Sequence, residues 1–326
     1  MLKILFIGGT GRISASITEL CLNLGHEVYL LNRGVRTSVP AGAVHLKGDI
    51  SDEAHVADLI SDHRFDTVTN FVNYNPSEVE RDIRLFRSKT DQYIFISTAS
   101  AYSRNNYRIT ESTPLYNPYW EYSRKKILCE DILTREYRAT AFPITIVRPS
   151  HTYDKTAIPV PVHSGSPRPV VKRMLEGKPV IVPGDGTSLW VLTHSRDFAK
   201  GFVGLLGNPH AIGEAVHITS DEVLTWNQIM TQIARALGVA PNLCHVPTNK
   251  IIAANPDYEG PLWGDKARSA VFDNSKIKSL VPGFEATIRF DMGIRESVTH
   301  FLATPGLHKE DPSFDAFTDM LVQRYM

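Results

Sequence analysis

The chain opens with Met1-Leu2-Lys3-Ile4-Leu5-Phe6-Ile7-Gly8-Gly9-Thr10-Gly11-Arg12-Ile13-Ser14, and this stretch decides the predicted fold. The apolar run from Leu2 to Ile7 is typical of a short buried strand, and the glycines that follow end it. Apolar side chains then recur at helical spacing from Arg12 to Leu24, and Gly25 stands where a helix ends. The pattern predicts a strand, a glycine-rich turn and a helix in direct succession.

The turn between this strand and this helix has the spacing Gly8-x-x-Gly11-x-x-Ser14. Glycines at such positions let backbone N–H groups approach a pyrophosphate closely, and the positive end of the helix favours its negative charge. The third position holds Ser14 instead of glycine, but serine is small enough to keep the helix close to the strand. We therefore predict a dinucleotide-binding loop, with a plain tight turn as the alternative.

Strand-like and helix-like segments alternate through the following part of the chain. Alternation of this kind implies parallel strands that are joined by crossover helices. The predicted fold is α/β, a doubly wound parallel sheet of the Rossmann type. Strands are predicted at residues 28–31, 44–46, 67–72, 93–97 and 144–147, and helices at 53–60, at 119–137 and from Pro76 onward.

The pattern changes after Pro149. Residues 154–187 are rich in proline and glycine and have weak periodicity, which predicts loops that cover a site. Strand-like residues 190–193 and 216–219, with a helix near 196–206, are predicted to return to the sheet.

A smaller, mostly helical lobe is predicted from Thr225 onward, where short helices dominate. This lobe would bind the substrate, whereas the first part of the chain would bind a dinucleotide. The predicted short helices cover residues 226–237, 274–280 and 293–302. The predicted bounds are 1–153 for the dinucleotide-binding domain, completed by about 188–224, and 154–187 with 225–306 for the substrate-binding lobe.

Residues 307–326 are predicted to form a C-terminal helical tail, because Phe314, Phe317, Leu321 and Tyr325 recur at helical spacing. The apolar face of this tail must be covered. It docks either on its own chain or on another subunit.

Composition limits the classes of partner and compartment. Lys plus Arg and Asp plus Glu both number 35, so the chain lacks the basic excess that drives binding to nucleic acid or anionic membrane. Three distant cysteines (Cys21, Cys129 and Cys244) fit neither a disulfide framework nor a metal site. No apolar run approaches the roughly 18 residues of a membrane-spanning helix. We predict a cytoplasmic protein with no metal site and no membrane segment.

The end of the second predicted strand bears on the choice of cofactor. A site that selects NAD places Asp or Glu there to bind the ribose 2′-OH, but this chain has Asn32 and Arg33, with Arg36 close behind. A guanidinium can pair with a 2′-phosphate in forked geometry, which favours NADP over NAD. The alternative is that both arginines are solvated loop charges. Asp49 and Ile50 follow the third strand, where they would meet the adenine, unless Asp49 caps the next helix.

A phenol and an ammonium stand four residues apart at Tyr122 and Lys126 on a predicted helix. A nearby cation favours the phenolate, so we expect the pKa of Tyr122 to be lowered from about 10 toward neutrality. Such a tyrosine can exchange a proton with a substrate oxygen while hydride moves at a nicotinamide. Thr98, after the strand at 93–97, would hold the same oxygen. An accidental surface pair is the alternative.

These motifs resemble those of the extended short-chain dehydrogenases/reductases of the NAD-dependent epimerase/dehydratase family. The resemblance follows the family's order almost to residue 303, about the whole chain without its tail, and is therefore specific. The matching stretches are Ile7 to Gly11, Gly48-Asp49-Ile50, Ile96 to Tyr102, Tyr122 to Lys126, Val147-Arg148-Pro149, Gly184 to Thr187, His194 to Asp197 and Ala215 to Thr219.

The resemblance implies a role for each matching residue. Tyr122 would be the catalytic acid/base, Lys126 would lower its pKa and bind the nicotinamide ribose, and Thr98 would be the hydroxyl partner. The resemblance also implies that a homodimer is the usual assembly. The predicted cofactor-binding residues are Gly8, Thr10, Gly11, Arg12, Ile13, Asn32, Arg33, Arg36, Asp49, Ile50, Phe71, Val72, Lys126, Pro149 and Ser150.

Three departures from the family's pattern bear on the substrate. Sugar-nucleotide 4,6-dehydratases carry Asp-Glu after the catalytic Thr, but Ala99 and Ser100 stand here, which disfavours dehydration. Nucleotide-sugar epimerases usually have Arg where this chain has Trp190, and Asn where it has His151. We therefore expect a smaller or less anionic substrate, with Ser100, His151 and Trp190 as candidate contacts. Trp190 as a packing residue and His151 as a hydrogen-bonded loop residue are the alternatives.

The sequence predicts an NAD(P)-dependent oxidoreductase or epimerase that transfers hydride at a C–O carbon of a sugar-like or small carbonyl or alcohol substrate. The choice between net reduction and epimerisation stays open. The alternative is an RNA-binding protein on the same scaffold. Gly8 to Arg12, Asn32-Arg33-Gly34 and Arg148 to Asp154 are similar to the chloroplast stem-loop RNA-binding branch of the family. The zero net charge and the retained Tyr122, Lys126 and Thr98 argue against RNA.

Overall fold

A seven-stranded parallel sheet lies at the centre of the structure, a computed structural model that describes residues 1–35, 39–104, 108–304 and 311–326. The strands are β1 (Lys3–Ile7), β2 (Glu27–Asn32), β3 (Val44–Lys47), β4 (Thr67–Asn70), β5 (Tyr93–Ile96), β6 (Ile144–Pro149), β7 (His151–Tyr153), β8 (Val180–Pro183), β9 (Leu189–Trp190), β10 (Leu192–His194), β11 (Ala215–Ile218), β12 (Leu224–Thr225) and β13 (Leu243–Val246). The helices are α1 (Ser14–Asn23), α2 (Glu53–Leu59), α3 (Pro76–Phe86), α4 (Glu121–Thr140), α5 (Arg168–Leu175), α6 (Ser195–Leu205), α7 (Trp226–Ala236), α8 (Thr248–Ala254), α9 (Glu259–Pro261), α10 (Ser275–Leu280), α11 (Phe290–Ala303) and α12 (Pro312–Tyr325).

The strand order of the main sheet is β11-β6-β5-β4-β1-β2-β3, and all its neighbours are parallel. Strand β1 lies between β2 and β4, with Ile4 opposite both Val28 and Thr67. The chain therefore winds in one direction from β1 to β3 and in the other from β4 to β11. This confirms the predicted doubly wound sheet. In such sheets a ligand binds where the strand order reverses, at the carboxyl ends of the strands.

Helices cover both faces of this sheet because its strands are apolar on both sides. One face packs against α2, α3 and α4 around residues such as Phe65, Phe86 and Phe95. The other packs against α1, α6 and α10 around residues such as Phe198 and Phe202. Strand side chains are fully buried in both layers, as expected for parallel strands between two helical layers.

The lobe beyond the sheet is not as loop-rich as the sequence predicted. Residues 154–187, expected to be loops, contain helix α5 and strand β8. Strand β8 pairs in parallel with β13, which the prediction of short helices beyond residue 225 had missed. The prediction was wrong here because each strand has four residues, and its partner lies about sixty residues away along the chain.

The predicted return of residues 190–193 to the main sheet is also wrong. The chain is divided there into β9 and β10, which pair with β12 and β7 in separate two-stranded ladders. The segment at 216–219 does return: β11 pairs with β6, and Val216 lies opposite Val147. Strands of two or three residues cannot show the alternation that identifies a sheet partner from sequence.

The C-terminal helix α12 packs on the lobe of its own chain. Phe314 and Leu321 are 5% and 3% exposed and belong to the core of the lobe. The buried Arg173 of α5 donates hydrogen bonds to Asp315 at 3.0 Å and to Asp319 at 2.6 Å. Of the two predicted docking partners for the tail, the structure therefore shows its own chain.

The three cysteines are free and buried. Among the described residues, no helix combines the length and the apolar composition that crossing a membrane requires.

Two neighbouring residues of α12 test its docking. Leu321→Ala should lower the free energy of unfolding by about 2–5 kcal/mol, because it removes a buried side chain and leaves a cavity. Met320→Ala is the matched control: Met320 is 51% exposed, and its loss should change the value by less than about 0.5 kcal/mol. The measurement is urea unfolding of the full chain, and equal effects of the two variants would contradict the docking.

Candidate active site

The glycine turn after β1 has a backbone that other residues would not tolerate. Gly8 and Gly9 have φ angles of +101° and +62°, which lie in the region that favours glycine. A Cβ atom at Gly9 would lie 2.5 Å from Leu30 Cδ2, and one at Gly8 would lie 3.2 Å from Val72 Cγ1. The turn therefore lies flat against β2 and against the end of β4, without side chains of its own at these positions.

Helix α1 begins two residues later than predicted, because Ser14 and not Arg12 is its first residue. The Ser14 hydroxyl accepts a hydrogen bond from the amide of Gly11 at 2.8 Å, and Thr18 donates to the carbonyl of Gly9 at 2.7 Å. These bonds tie the turn to the helix. Gly11 itself is exposed, and an added Cβ would meet only Ser14 Oγ, at 3.4 Å.

The turn fits a pyrophosphate on these observations. It presents backbone without side chains at the positive end of a ten-residue helix, where the strand order of the sheet reverses. Thr10 bends back to Gly8 through a 2.8 Å backbone hydrogen bond. Ile13 is half-buried before the helix, and the exposed Arg12 lies 3.9 Å from Asp154.

The end of β2 carries the residues predicted to choose the cofactor. Asn32 is held by two hydrogen bonds to its side-chain oxygen, from the Gly34 amide at 2.9 Å and from His45 at 3.1 Å. Arg33 is 66% exposed in its side chain and lies 3.8 Å from Asp49. Arg36, also predicted to bind the cofactor, lies outside the described residues.

Asp49 does not cap helix α2, which was the alternative explanation for it. The cap is Asp52, which accepts a hydrogen bond from the amide of His55 at 3.1 Å. Asp49 accepts instead from the amide and the hydroxyl of Ser51, and these bonds lower the pKa of its carboxyl. Ile50 beside it is half-buried against the sheet core.

The end of β4 lies next to the glycine turn. Phe71 packs edge-on against Phe6, with 5.5 Å between ring centroids, and Val72 is 39% exposed. Both residues were predicted to lie beside the cofactor. Their contacts with Gly8 place them between the turn and the start of α3.

A chain of hydroxyl groups follows strand β5. Thr98 Oγ1 lies 2.9 Å from Ser100 Oγ, which lies 2.7 Å from Ser123 Oγ on α4. The side chain of Thr98 also lies near Tyr122 and favours its phenolate. The structure thus brings the predicted Tyr122 and Thr98 together. It also adds Ser123, which no sequence signal had singled out.

Lys126 lies one helical turn after Tyr122 and is 3% exposed. Its ammonium donates hydrogen bonds to the backbone carbonyls of Asn73 at 2.5 Å and Ile96 at 2.7 Å. It lies 6.0 Å from the centroid of the Tyr122 ring. Burial lowers the pKa of Lys126 to about 8, because the charged form loses its hydration.

The expected lowering of the Tyr122 pKa is not found. Burial raises the pKa of Tyr122 to about 12, although the nearby side chain of Thr98 opposes the rise. The expectation was wrong because the ammonium of Lys126 is bound to two carbonyls and lies beneath the ring. Although Lys126 lies one helical turn from Tyr122, its ammonium is bound to these carbonyls and does not contact the Tyr122 hydroxyl.

A buried polar cluster beneath Lys126 was missed by the sequence analysis. The Asp82 Oδ2 atom accepts hydrogen bonds from Asn70, Asn73 and Tyr93, each at 2.7 Å. Arg81 donates to the other oxygen of Asp82 at 2.8 and 3.0 Å. The two asparagines stand close together in the sequence, but their common partner on α3 carries no sequence signal.

Of the residues at and beyond the end of β6, some lie near the candidate site and others pack in the core. Pro149 ends β6, and the half-buried Ser150 donates weakly to the Val191 carbonyl at 3.5 Å. His151 accepts a 3.1 Å hydrogen bond from the Trp190 indole, and burial holds its pKa well below the usual value, so its ring is neutral. Trp190 is 2% exposed and packs on Trp226, with 5.4 Å between ring centroids.

Trp190 is therefore a core residue in this structure, and the packing alternative describes it better than a substrate contact. The buried Ser100 lies in the hydroxyl chain beside Thr98. Among the described residues, no group of three or more His, Cys, Asp or Glu side chains is arranged to hold a metal ion.

The buried ammonium of Lys126 should make stability depend on pH. The pKa of Lys126 is lower in the folded state, about 8, than its ordinary 10.5, so the unfolded chain binds more protons between these values. The contribution of Lys126 to the free energy of unfolding should therefore rise as the pH increases through this window. Lys126→Met lacks this rise, so its stability relative to the wild type should fall by about 2 kcal/mol between about pH 7 and pH 10.

The measurement is urea unfolding at several pH values without added nucleotide. Lys125→Met removes the neighbouring, half-exposed lysine of the same helix and serves as the control. A stability difference for Lys126→Met that does not change with pH would contradict the buried charge.

The relatives of known name are distant in sequence, and they are named for different functions. The chain is 26% identical over 258 residues to the chloroplast stem-loop binding protein of 41 kDa b of Arabidopsis thaliana, covering 74% of this chain and 65% of that protein, just under two thirds of its length. It is 21% identical to 2′-dehydrokanamycin reductase of Streptomyces kanamyceticus, over 87% of this chain and 80% of that enzyme.

Solved structures share the fold. The crystal structure of dTDP-glucose 4,6-dehydratase from Bacillus anthracis in complex with NAD superposes with a TM-score of 0.72 and 20% sequence identity. The match covers 93% of this chain and 97% of that one. The profile of the NAD dependent epimerase/dehydratase family matches residues 4–219, which include the glycine turn, Thr98, Tyr122 and Lys126. The chain belongs to the NAD dependent epimerase/dehydratase family.

Proposed function

We propose that this protein is an NAD(P)-dependent enzyme that transfers hydride at a C–O carbon of a small-molecule substrate. One observation carries the proposal. The side chain of Thr98 lies near the Tyr122 hydroxyl and favours its phenolate, and the ammonium of Lys126 lies beneath the same ring, 6.0 Å from its centroid. All three lie at the edge of the sheet where the glycine turn fits a pyrophosphate.

A continuous set of contacts connects the two halves of this site. Gly8 of the turn packs against Val72, and the next residue, Asn73, accepts the hydrogen bond of Lys126. A dinucleotide whose pyrophosphate lies on the turn would pass along the ends of β1 and β4 toward Lys126. Its nicotinamide supplies or accepts the hydride, and Lys126, Pro149 and Ser150 are the residues proposed to hold that end.

Tyr122 is proposed to exchange the proton of the substrate oxygen. Because its pKa is raised, the phenol is protonated near neutral pH, which suits donation of a proton to a carbonyl oxygen during reduction. Thr98 orients the Tyr122 hydroxyl and can bind the same substrate oxygen. Lys126 is proposed to position Tyr122, because its hydrogen bonds to the carbonyls of Asn73 and Ile96 fix the helix that carries both residues.

The reaction subtype is proposed from the residues that follow Thr98. Elimination needs an acid beside the substrate, but the next two residues are Ala99 and Ser100, both buried and without a carboxyl group. We therefore favour reduction or epimerisation over 4,6-dehydration, although a dehydratase shares the fold. The relative named for a reductase covers most of both chains and is consistent with net reduction.

We propose NADP as the preferred cofactor because Arg33 is exposed at the end of β2, where a 2′-phosphate would lie. NAD is the alternative, since Asp49 lies 3.8 Å from Arg33 and reduces its positive field. The neutral Asn32, which precedes Arg33, would not repel the 2′-phosphate. Cytoplasmic location, a homodimer and the division into two domains stay predictions.

RNA binding is the second candidate function. It is favoured by the relative from Arabidopsis thaliana that is named for stem-loop binding. The equal numbers of acidic and basic residues oppose it, because binding to an RNA backbone depends on basic excess. We rank it below hydride transfer.

Removal of one hydroxyl tests the proposed acid. Tyr122→Phe should lower the rate of NADPH-dependent reduction across a panel of aldehydes and ketones by about 10²- to 10⁴-fold. Its affinity for NADPH should change little, because the lost group faces the substrate oxygen. Tyr137→Phe, on the same helix far from the site, should keep the wild-type rate. A Tyr122→Phe enzyme with the wild-type rate, or no binding of either nucleotide by the wild type, would refute the proposal.

Removal of one guanidinium tests the choice of cofactor. Arg33→Ala should weaken binding of NADP about tenfold, the loss expected for one charge-assisted hydrogen bond, and should change NAD binding less. Calorimetric titration with both nucleotides measures this. Arg64→Ala is the control, because Arg64 is an exposed arginine that precedes β4 and pairs with Asp91. Equal losses for NADP and NAD in Arg33→Ala would show that Arg33 does not bind a 2′-phosphate.

A further inference from the structure

A cavity of about 290 Å³ lies between the segment that leads into α4 and the turn over Leu262–Lys266. Two arginines, Arg104 and Arg268, line it together with the rings of Tyr119 and Trp263. Neither arginine was singled out by the sequence, and neither takes part in the proposed hydride transfer.

Arg104 is a buried cation with unused donors. Its side chain is 5% exposed, and its Nη2 atom donates to Asp265 at 2.9 Å. Its Nε and Nη1 atoms have no hydrogen-bond partner within the part of the chain that the structure describes. Buried N–H groups without partners are costly, and a native protein usually satisfies them with water, an ion or a ligand.

Arg268 supplies a second cation on the same cavity. Its guanidinium lies over the rings of Tyr119 at 5.2 Å and Trp263 at 5.8 Å, and it donates to the Tyr119 hydroxyl at 3.2 Å. Within the described ranges it forms no ion pair with a carboxylate. Asp265 pairs with Arg104 and also lies 3.9 Å from Lys266, so the charge of Arg268 is left unbalanced by a carboxylate and the cavity carries excess positive charge.

The wall of this cavity is continuous with the hydroxyl chain of the active site. The side-chain amide of Asn117 donates to the carbonyls of Ser100 and Gly264, both at 2.7 Å. Trp120, which follows Tyr119, has its ring centroid 5.1 Å from that of Tyr122. A molecule with a reactive carbon at Tyr122 would therefore reach the cavity with a group on its far side.

We propose that the cavity binds an oxyanion of the substrate, a carboxylate or a phosphate, on the guanidiniums of Arg104 and Arg268. Both anions accept two N–H bonds from a guanidinium, in the planar geometry that the fork provides. That the anion belongs to the substrate rests on the proposed function. The anion site replaces the expectation of a less anionic substrate, because a cation is supplied here from a different part of the chain.

The experiment is calorimetric titration of the full chain with inorganic phosphate and with acetate, at constant ionic strength in chloride and without nucleotide. We expect saturable binding of at least one of these anions, and the tighter one identifies the group. Arg268→Gln should weaken it about tenfold or more. Arg268→Lys, which keeps the charge without the fork, should weaken it less.

Arg289→Gln is the matched control, because Arg289 is an exposed arginine outside the cavity that lies 3.2 Å from Asp291. It should bind the anion as the wild type does. Arg104→Gln should abolish binding, but it leaves Asp265 buried without its partner, so the folding of this variant is checked by circular dichroism. Arg268→Gln does not disturb that pair and keeps the test decisive if Arg104→Gln fails to fold.

Two results would overturn the proposal: no saturable binding of either anion by the wild type, or binding that Arg268→Gln and Arg289→Gln leave equally unchanged. Titration of the same variants with NADPH separates this from the proposed function. Arg268→Gln should bind NADPH like the wild type, since Arg268 lies away from the glycine turn. Loss of NADPH binding in every protein would refute the hydride-transfer proposal and leave the anion site to be judged by its own titration.

Discussion

The buried ammonium of Lys126 is the interaction on which the arrangement of the site depends. Its two hydrogen bonds, to the carbonyls of Asn73 and Ile96, tie helix α4 to the ends of β4 and β5. A buried charge is costly unless its hydrogen bonds are satisfied, so α4 can occupy few positions that keep both bonds. Because Tyr122 lies one turn earlier on the same helix, these bonds also set where its ring lies relative to Thr98.

Asn73, whose backbone carbonyl accepts a hydrogen bond from Lys126, is in turn held through its side-chain amide by Asp82. This carboxyl accepts hydrogen bonds from Asn70, Asn73 and Tyr93, and burial raises its pKa while Arg81 opposes the rise. The cluster is internally bonded and lies under the point where the glycine turn, β4 and α4 meet. The end of β4 beside the glycine turn and the proposed catalytic groups are therefore connected through one hydrogen-bonded cluster and are not two independent motifs.

The doubly wound sheet and the positions of Tyr122, Lys126 and Thr98 could be predicted because they depend on local patterns. Apolar runs, the glycine turn and the four-residue spacing of Tyr122 and Lys126 each indicate a local structure within a short stretch of sequence. The ladder of β8 with β13 could not be predicted, since two four-residue strands become partners only through the packing of the lobe. The pKa of Tyr122 could not be predicted either, because it depends on burial and on the carbonyls that bind Lys126.

The sequence by itself determined the fold class, the glycine turn after β1 and the side chains available for chemistry, since these follow from residue type and periodicity. Only the tertiary structure decided which of those side chains meet. It placed Trp190 in the core, gave the cap of α2 to Asp52, and brought Arg104 and Arg268 to one cavity from segments more than 160 residues apart. The physical reason is that burial and hydrogen-bond partners are properties of the packed chain, and no short stretch of sequence contains them.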